Sequence, residues 1–281
     1  MMGVASIARR IAAVASVVAA TTAAVSAEES RLDVVLKRDK LIVGSYSTSP
    51  PMAFVDKDGK LTGFEIELAR LIAKSLLGDP NKIEFVTVTA EGRFPAVLSG
   101  KVDFGIAATT IYPERAVRVA FTEPYMDSAS ALIVRKDSNV RSLADVNNEN
   151  MTVAALNTPV ARDSATQYFP KAKLSNFETP SALFLALKSG RVQGVYADKP
   201  ILDYYALQND EFRVLPELLT EVMGNAIFVK PGDFQWWLFL DTTIKEYRYN
   251  SRYADYRDLY RRWFGKDPAP QRFYLPERTA K

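Results

Sequence analysis

Residues 94–107 read FPAVLSGKVDFGIA, and this stretch gives the strongest indication of fold class. Its first part, Phe94–Leu98, is a short apolar helix, which Gly100 ends in a left-handed conformation before a strand that starts at Val102. The pattern recurs 90 residues later, where Ser189-Gly190-Arg191-Val192-Gln193 follows the apolar residues 182–187. A repeat at this distance is too long for a solenoid and predicts two α/β lobes. The motif taken alone also fits a common helix-to-strand connection that arose by chance.

The flanking sequence continues the alternation of strands and helices. Residues 41–44 and 83–88 have the apolar composition of strands, and Gly78 and Pro80 mark the end of a helix between them. Within residues 63–77, apolar side chains recur every four positions and so share one helical face: Phe64, Leu68, Ile72 and Leu76. Strand, helix and strand in this order indicate a mostly parallel sheet covered by helices.

The first 27 residues have the pattern of a targeting segment. Arg9 and Arg10 precede a short apolar run, and the small residues Val25 and Ala27 occupy the −3 and −1 positions of a cleavage site. This is the layout of a secretory signal peptide. The apolar run is shorter than the roughly 20 residues that a membrane-spanning helix needs. We therefore expect a cleaved signal peptide at residues 1–27 and an exported protein.

Composition excludes several classes of chemistry. The 281 residues include no Cys and no His, so we expect no disulfide, thiolate nucleophile, lipid-anchored N-terminal Cys, Ser-His-Asp triad or histidine metal cluster. Removal of the signal segment leaves 34 basic and 33 acidic residues, and this near balance gives no reason to expect a nucleic-acid partner. We also expect no cofactor.

Short motifs along the chain carry a family resemblance. They are PPMAF at 50–54, DGKLTGFEIELA at 58–69, RFPA at 93–96, TIYPER at 110–115, FTEPY at 121–125 and WFG at 263–265. In this order and spacing, residues 38–266 resemble the polar-amino-acid family of bacterial extracellular solute-binding proteins, the capture subunits of ABC importers. The resemblance implies the type II periplasmic-binding-protein fold, an α/β fold with two lobes, each a mostly parallel sheet flanked by helices.

Two crossing strands, near Ser130–Val134 and Val222–Val229, would form the hinge between the lobes. We expect lobe one to comprise residues 33–129 and 226–268, lobe two residues 130–225, and a C-terminal tail residues 269–281.

A free amino acid is a zwitterion, so its site needs a fixed cation for the carboxylate and a fixed anion for the ammonium. A guanidinium suits the first task because it binds a carboxylate through two parallel hydrogen bonds. The resemblance assigns the α-carboxylate to Arg115, Thr110 and the backbone of Ala108, and the α-ammonium to Asp198 of lobe two. Two structural alternatives stay open: Arg115 as a surface ion pair at a helix start with Glu114 or a neighbour, and Asp198 as the N-cap of the following helix.

Departures from the family concern the ligand side chain. The position that often selects this side chain is Tyr46, and Ser49 and Ala90 stand where relatives often carry aromatic walls. Arg93 is kept, and in some relatives this arginine reaches an acidic ligand side chain. A surface charge at a helix start is the alternative for Arg93.

The lobe-two loop is also altered. It reads Thr158-Pro159-Val160, and Pro159 removes a backbone N–H that such loops offer to a carboxylate. Arg162 is a second candidate cation facing the cleft. We hypothesise an acidic or amide amino acid, although a wall without aromatics leaves room for a bulkier ligand.

The resemblance implies a monomeric periplasmic receptor, not an enzyme, that delivers a polar amino acid to an inner-membrane ABC permease. The absence of Cys beside a signal peptide predicts that it is not a lipoprotein. Two alternatives stay open. One is a dehydratase of the cyclohexadienyl type, which uses a similar fold and here would need Asp or Glu as its general acid. The other is an accessory or sensor protein with the same fold and a changed pocket.

Overall fold

The computed structural model describes residues 29–269, which form thirteen strands and ten helices. The predicted signal peptide and all but the first residue of the predicted tail lie outside the described residues. The strands are β1 Leu41–Ser45, β2 Thr48–Ser49, β3 Ala53–Val55, β4 Leu61–Thr62, β5 Ile83–Thr87, β6 Phe104–Gly105, β7 Ala120–Ser128, β8 Ser130–Arg135, β9 Thr152–Leu156, β10 Lys173–Phe177, β11 Gly194–Asp198, β12 Phe212–Val214 and β13 Met223–Val229. The helices are α1 Arg31–Arg38, α2 Phe64–Leu77, α3 Arg93–Leu98, α4 Pro113–Ala116, α5 Leu143–Val146, α6 Pro159–Tyr168, α7 Pro180–Lys188, α8 Lys199–Gln208, α9 Phe234–Tyr249 and α10 Tyr253–Phe264.

Two five-stranded sheets dominate the fold. Sheet one has the order β5-β1-β6-β13-β7, and sheet two the order β10-β9-β11-β8-β12. The central pairs β1–β5, β1–β6, β9–β10 and β9–β11 are parallel, whereas β13 in sheet one and β8 in sheet two run antiparallel to their neighbours. Both sheets are therefore mixed but mostly parallel, and the predicted α/β fold class is confirmed.

Helix α2 shows how the local pattern produces the element. Its predicted face is buried, with Phe64, Leu68 and Ile72 fully inaccessible to solvent. Gly78 ends the helix in the left-handed conformation, at φ 74°, and its N–H donates to the Lys74 carbonyl. The apolar period and the glycine stop predicted this helix correctly because both act within a few turns of chain.

The repeated motif ends two helices as predicted, since Gly100 and Gly190 have φ of 74° and 73°. The prediction that Val102 and Val192 start the strands is wrong, because the strands begin two residues later. Each valine N–H is used by the preceding helix: Val102 donates to the Ala96 carbonyl at 3.3 Å, and Val192 to the Ala186 carbonyl at 3.4 Å. An amide bonded back to its helix cannot also join a sheet ladder.

The chain changes sheets twice. Strand β7 ends at Ser128 in sheet one, and β8, beginning at Ser130, already lies in sheet two, so the first crossing falls at Ala129. The chain returns in β13, which pairs antiparallel with β7. The lobe boundaries at residues 129/130 and 225/226 and the hinge between them stay predictions.

Candidate functional site

A cavity of about 70 Å³ is lined by residues at the carboxyl ends of strands from both sheets. Helix α7 contacts β2, which forms a small three-stranded sheet with β3 and β4, and both elements contribute residues to the cavity lining. Ligands of open α/β sheets bind at this end of the strands because the connecting loops place polar groups there. Eight of the nine predicted site residues line the cavity: Tyr46, Ser49, Arg93, Ala108, Thr110, Arg115, Thr158 and Asp198.

Arg93 and Tyr46 form a buried polar pair on one wall. Arg93 is the first residue of α3 and is 3% exposed. Its Nη1 donates to the Tyr46 hydroxyl at 2.7 Å and to the Ala107 carbonyl at 3.0 Å. Burial raises the pKa of Tyr46, which therefore keeps its phenolic proton at neutral pH. Since this hydroxyl accepts from Arg93, its own proton is available to a ligand acceptor.

Arg115 lies in the short helix α4, directly after the loop that follows β6. Its Nη1 donates to the Thr110 carbonyl at 2.7 Å, and its guanidinium lies 5.0 Å from the centre of the Tyr112 ring. Burial and the neighbouring Arg93 lower the pKa of Arg115 to about 10, so it stays charged at neutral pH. Among residues 29–269 it has no carboxylate partner, and the alternative ion pair with Glu114 does not form.

Asp198 is the last residue of β11 and reaches the cavity from the other sheet. It occupies the N-cap position of α8, yet its side chain makes no capping hydrogen bond. Instead its Oδ2 accepts from the Asn225 Nδ2 at 2.8 Å. Burial raises the pKa of Asp198 although this hydrogen bond opposes the shift. Asp198 therefore lies at the N-cap position, as the alternative states, but its carboxylate points to Asn225 and does not cap the helix.

Asn225 connects the two halves of the site and was missed by sequence reasoning. Its Oδ1 accepts from the Thr110 hydroxyl at 3.0 Å, while its Nδ2 donates to Asp198. Asn225 lies in β13 and is fully buried. Nothing in its local sequence indicates this role, because Thr110 is 115 residues away along the chain.

The remaining predicted residues differ in placement. Thr158 is the N-cap of α6, where its Oγ1 accepts from the Ala161 N–H at 3.2 Å and keeps its own proton free to donate. The buried Ser49 hydroxyl has no hydrogen-bond partner among the described residues. Arg162 is not part of the cavity lining, since its Nη1 turns back to the Asn157 Oδ1 at 2.6 Å. The prediction that Arg162 is a second cation at the cleft is not supported by this geometry.

Aromatic side chains enter the cavity wall at positions that the sequence did not identify. Tyr112, Phe184 and Tyr196 line the cavity, whereas Ala90 is buried outside it. The expectation of a wall without aromatics is therefore wrong. Tyr112 lies three residues before Arg115 in the same turn, and that proximity was the one local signal available.

A buried acid stands behind the loop that follows β6. Glu65 is fully buried, and its Oε1 accepts from the Ala108 N–H at 2.7 Å and from the Tyr125 hydroxyl. Burial raises the pKa of Glu65 to about 7. The Ala108 N–H is therefore already bonded within the protein, which corrects the expectation that this backbone donor is free for a ligand carboxylate.

Comparison with known proteins agrees with this arrangement. Residues 41–266 match the family model of the bacterial extracellular solute-binding proteins, family 3. The chain belongs to this family. The predicted family is thus confirmed. The proteins of this family are described as extracellular.

Relatives of this solute-binding protein include named receptors. A glutamine-binding protein of Geobacillus stearothermophilus is 34% identical over 70% of this chain and 75% of that protein. The crystal structure of a cysteine-binding protein from Campylobacter jejuni has a TM-score of 0.77 at 30% identity, covering 84% of this chain and 93% of that one. The ancestral amino acid-binding protein AncCDT-1, a precursor of cyclohexadienyl dehydratase, has a TM-score of 0.76 at 32% identity, covering 84% and 100%. The type II periplasmic-binding-protein fold is therefore confirmed.

Residues 29–269 lack a membrane-spanning helix and a metal-binding cluster. None of their helices combines the length and the apolar character that crossing a membrane requires. None of their acidic side chains cluster in a way that would hold a metal ion.

Proposed function

We propose that this solute-binding protein captures a free polar amino acid between its two lobes and delivers it to an ABC permease of the inner membrane. One observation carries the proposal: Arg115 and Asp198 face the same cavity from opposite sheets, and neither forms an ion pair within the described residues. Two unpaired, partly buried charges of opposite sign cost the empty protein stability, and an α-carboxylate and an α-ammonium would neutralise both.

The ligand side chain in this proposal is an amide or a carboxylate. The cavity lining carries two cations, Arg93 and Arg115, and one anion, Asp198. This balance disfavours a cationic side chain such as that of arginine. The Arg93–Tyr46 pair adds buried hydrogen-bond donors, and a neutral or acidic oxygen would accept from them. Glutamine and glutamate fit these requirements, and the name of the Geobacillus relative agrees with the first.

Thermal melting against a panel of ligands tests the proposal. The panel contains L-glutamine, L-glutamate, L-aspartate, L-arginine and L-cysteine, each followed by calorimetric titration. A ligand at 100 times its Kd should add about 2.7 kcal/mol of stability, and this should raise the Tm by about 5–10 °C. The shift should disappear in Arg115→Met. If no amino acid shifts the melt, the proposed function is wrong.

Incubation with prephenate and with arogenate tests the dehydratase alternative. Such an enzyme needs a general acid in contact with its substrate. Among the described residues that line the cavity, Asp198 is the one carboxylic acid, and the proposal assigns it to the ligand ammonium. Turnover of either compound would favour the enzyme. Binding without turnover, together with reduced uptake of the labelled amino acid in a gene-deletion strain, would favour transport over a sensor role.

A further inference from the structure

Glu65 is a buried acid outside the cavity lining, and the proposed ligand contacts do not use it. It is the second residue of α2 and has no exposed surface. A buried carboxyl group is costly unless hydrogen bonds compensate for its lost hydration. Its Oε2 has no hydrogen-bond partner among residues 29–269, so that compensation is incomplete. The hydrogen bonds of the Glu65 carboxyl group are therefore all made by Oε1.

Oε1 joins three separate segments of the chain. It accepts from the Ala108 N–H at 2.7 Å and from the hydroxyl of Tyr125 in β7, while the carboxyl itself is carried by α2. A backbone N–H withdrawn from water needs an acceptor, so this oxygen is an effective anchor for the Ala108 amide. The anchored amide belongs to the loop that enters the cavity.

Ala108 needs such an anchor because of its backbone conformation. Its φ of 39° is left-handed, a region that alanine disfavours because its Cβ crowds the backbone. The residues after this turn carry the polar contacts of the site: the Thr110 carbonyl accepts from Arg115, and the Thr110 hydroxyl donates to Asn225, which donates in turn to Asp198. A change at Ala108 would thus be transmitted to both charges of the cavity.

We propose that Glu65 is a positioning residue for ligand binding, holding the Ala108 amide so that residues 108–110 keep the shape that receives the amino-acid carboxylate. This inference rests on the proposed function. Among the titratable groups around Glu65, Tyr125 donates a hydrogen bond to it, while Arg93 and Asp198 act on it through their charges. The position of the acceptor oxygen, and not the charge, is what the role requires.

Two variants separate position from charge. Glu65→Gln keeps an acceptor oxygen at the same distance and removes the charge, whereas Glu65→Asp keeps the charge and withdraws the oxygen by one methylene. Calorimetric titration with L-glutamine and L-glutamate should give a Kd within about threefold of wild type for Glu65→Gln. The Kd should rise at least about tenfold for Glu65→Asp, as expected when the hydrogen bond to the Ala108 N–H is lost.

Tyr125→Phe is the matched control, because it removes the other hydrogen bond to the same oxygen and leaves the Ala108 bond in place. It should lower the Tm while keeping the Kd within about threefold of wild type. Equal losses of affinity in Tyr125→Phe and Glu65→Asp would indicate a general packing effect and overturn the inference. Weaker binding by Glu65→Gln than by Glu65→Asp would also overturn it, since charge would then matter more than position.

Amide hydrogen exchange at Ala108, measured by NMR without ligand, is the second readout. Exchange should be faster in Glu65→Asp and close to wild type in Glu65→Gln. If the wild type binds no amino acid, the proposed function is lost, but this exchange still decides whether Glu65 holds the loop. Unchanged exchange in Glu65→Asp would refute the inference directly.

Discussion

Replacement of Arg115 by methionine should stabilise the ligand-free protein and abolish amino-acid binding. The guanidinium is held without a carboxylate partner among residues 29–269, and burial lowers its pKa from 12.5 to about 10. At about 1.4 kcal/mol per pKa unit, the fold disfavours the charged form by about 3 kcal/mol. Loss of the hydrogen bond to the Thr110 carbonyl costs about 2 kcal/mol. The expected net gain is about 1 kcal/mol, or about 3 °C in Tm for a chain of this size.

Calorimetric melting of the ligand-free protein and titration with L-glutamine and L-glutamate measure the two effects. Arg118→Met is the matched control, because Arg118 lies three residues after Arg115 and is exposed. Its guanidinium lies 5.7 Å from the centre of the Phe94 ring, as that of Arg115 lies near the Tyr112 ring, so both variants remove a guanidinium beside an aromatic side chain. Its stability should change by less than about 0.5 kcal/mol, and its binding should not change. A fall of several degrees in the Tm of Arg115→Met, with binding retained, would refute the reasoning, because Arg115 would then be a structural residue.

Four further variants test other parts of the structure. Asp198→Asn should weaken amino-acid binding by at least about 100-fold in calorimetric titration, because it leaves the ligand ammonium without an anion. Burial raises the pKa of Glu65 from 4.5 to about 7, so between these pH values the folded state binds more protons than the unfolded state. The free energy of unfolding, measured by urea titration, should therefore fall by up to about 3 kcal/mol as the pH rises from 4.5 to 7. Glu65→Gln should remove this contribution to the pH dependence of stability. Gly63→Ala should cost more than about 3 kcal/mol, since a Cβ there would lie 2.3 Å from the Met52 carbonyl oxygen. Gly78→Ala, also left-handed but with no atom within 4 Å of the new Cβ, should cost about 1–2 kcal/mol in the same urea titration.

Local sequence was sufficient for the elements whose signals act over a few residues. The burial of Phe64, Leu68 and Ile72 and the left-handed stops at Gly78 and Gly100 follow from side-chain period and backbone sterics alone. The early motifs and their order were sufficient for the family. Strand starts were less predictable, because the amide of Val102 is taken by the preceding helix and not by the sheet.

The site divides in the same way. Arg115, Asp198, Arg93 and Tyr46 could be named because the family resemblance assigns these positions to the ligand. Arg162 was named as a further cation, yet it turns away to Asn157. A residue type and a position along the chain do not specify the direction in which a side chain points.

Sequence by itself determined the alternating α/β elements, the two-lobe repeat, the family and most of the polar groups of the site. Only the tertiary structure decided which of those groups meet. Asn225 joins Thr110 to Asp198, and Glu65 holds Ala108, across separations of 115, 27 and 43 residues. Such contacts depend on how two sheets and their helices pack, and that packing is a property of the whole chain, which no local period or motif contains.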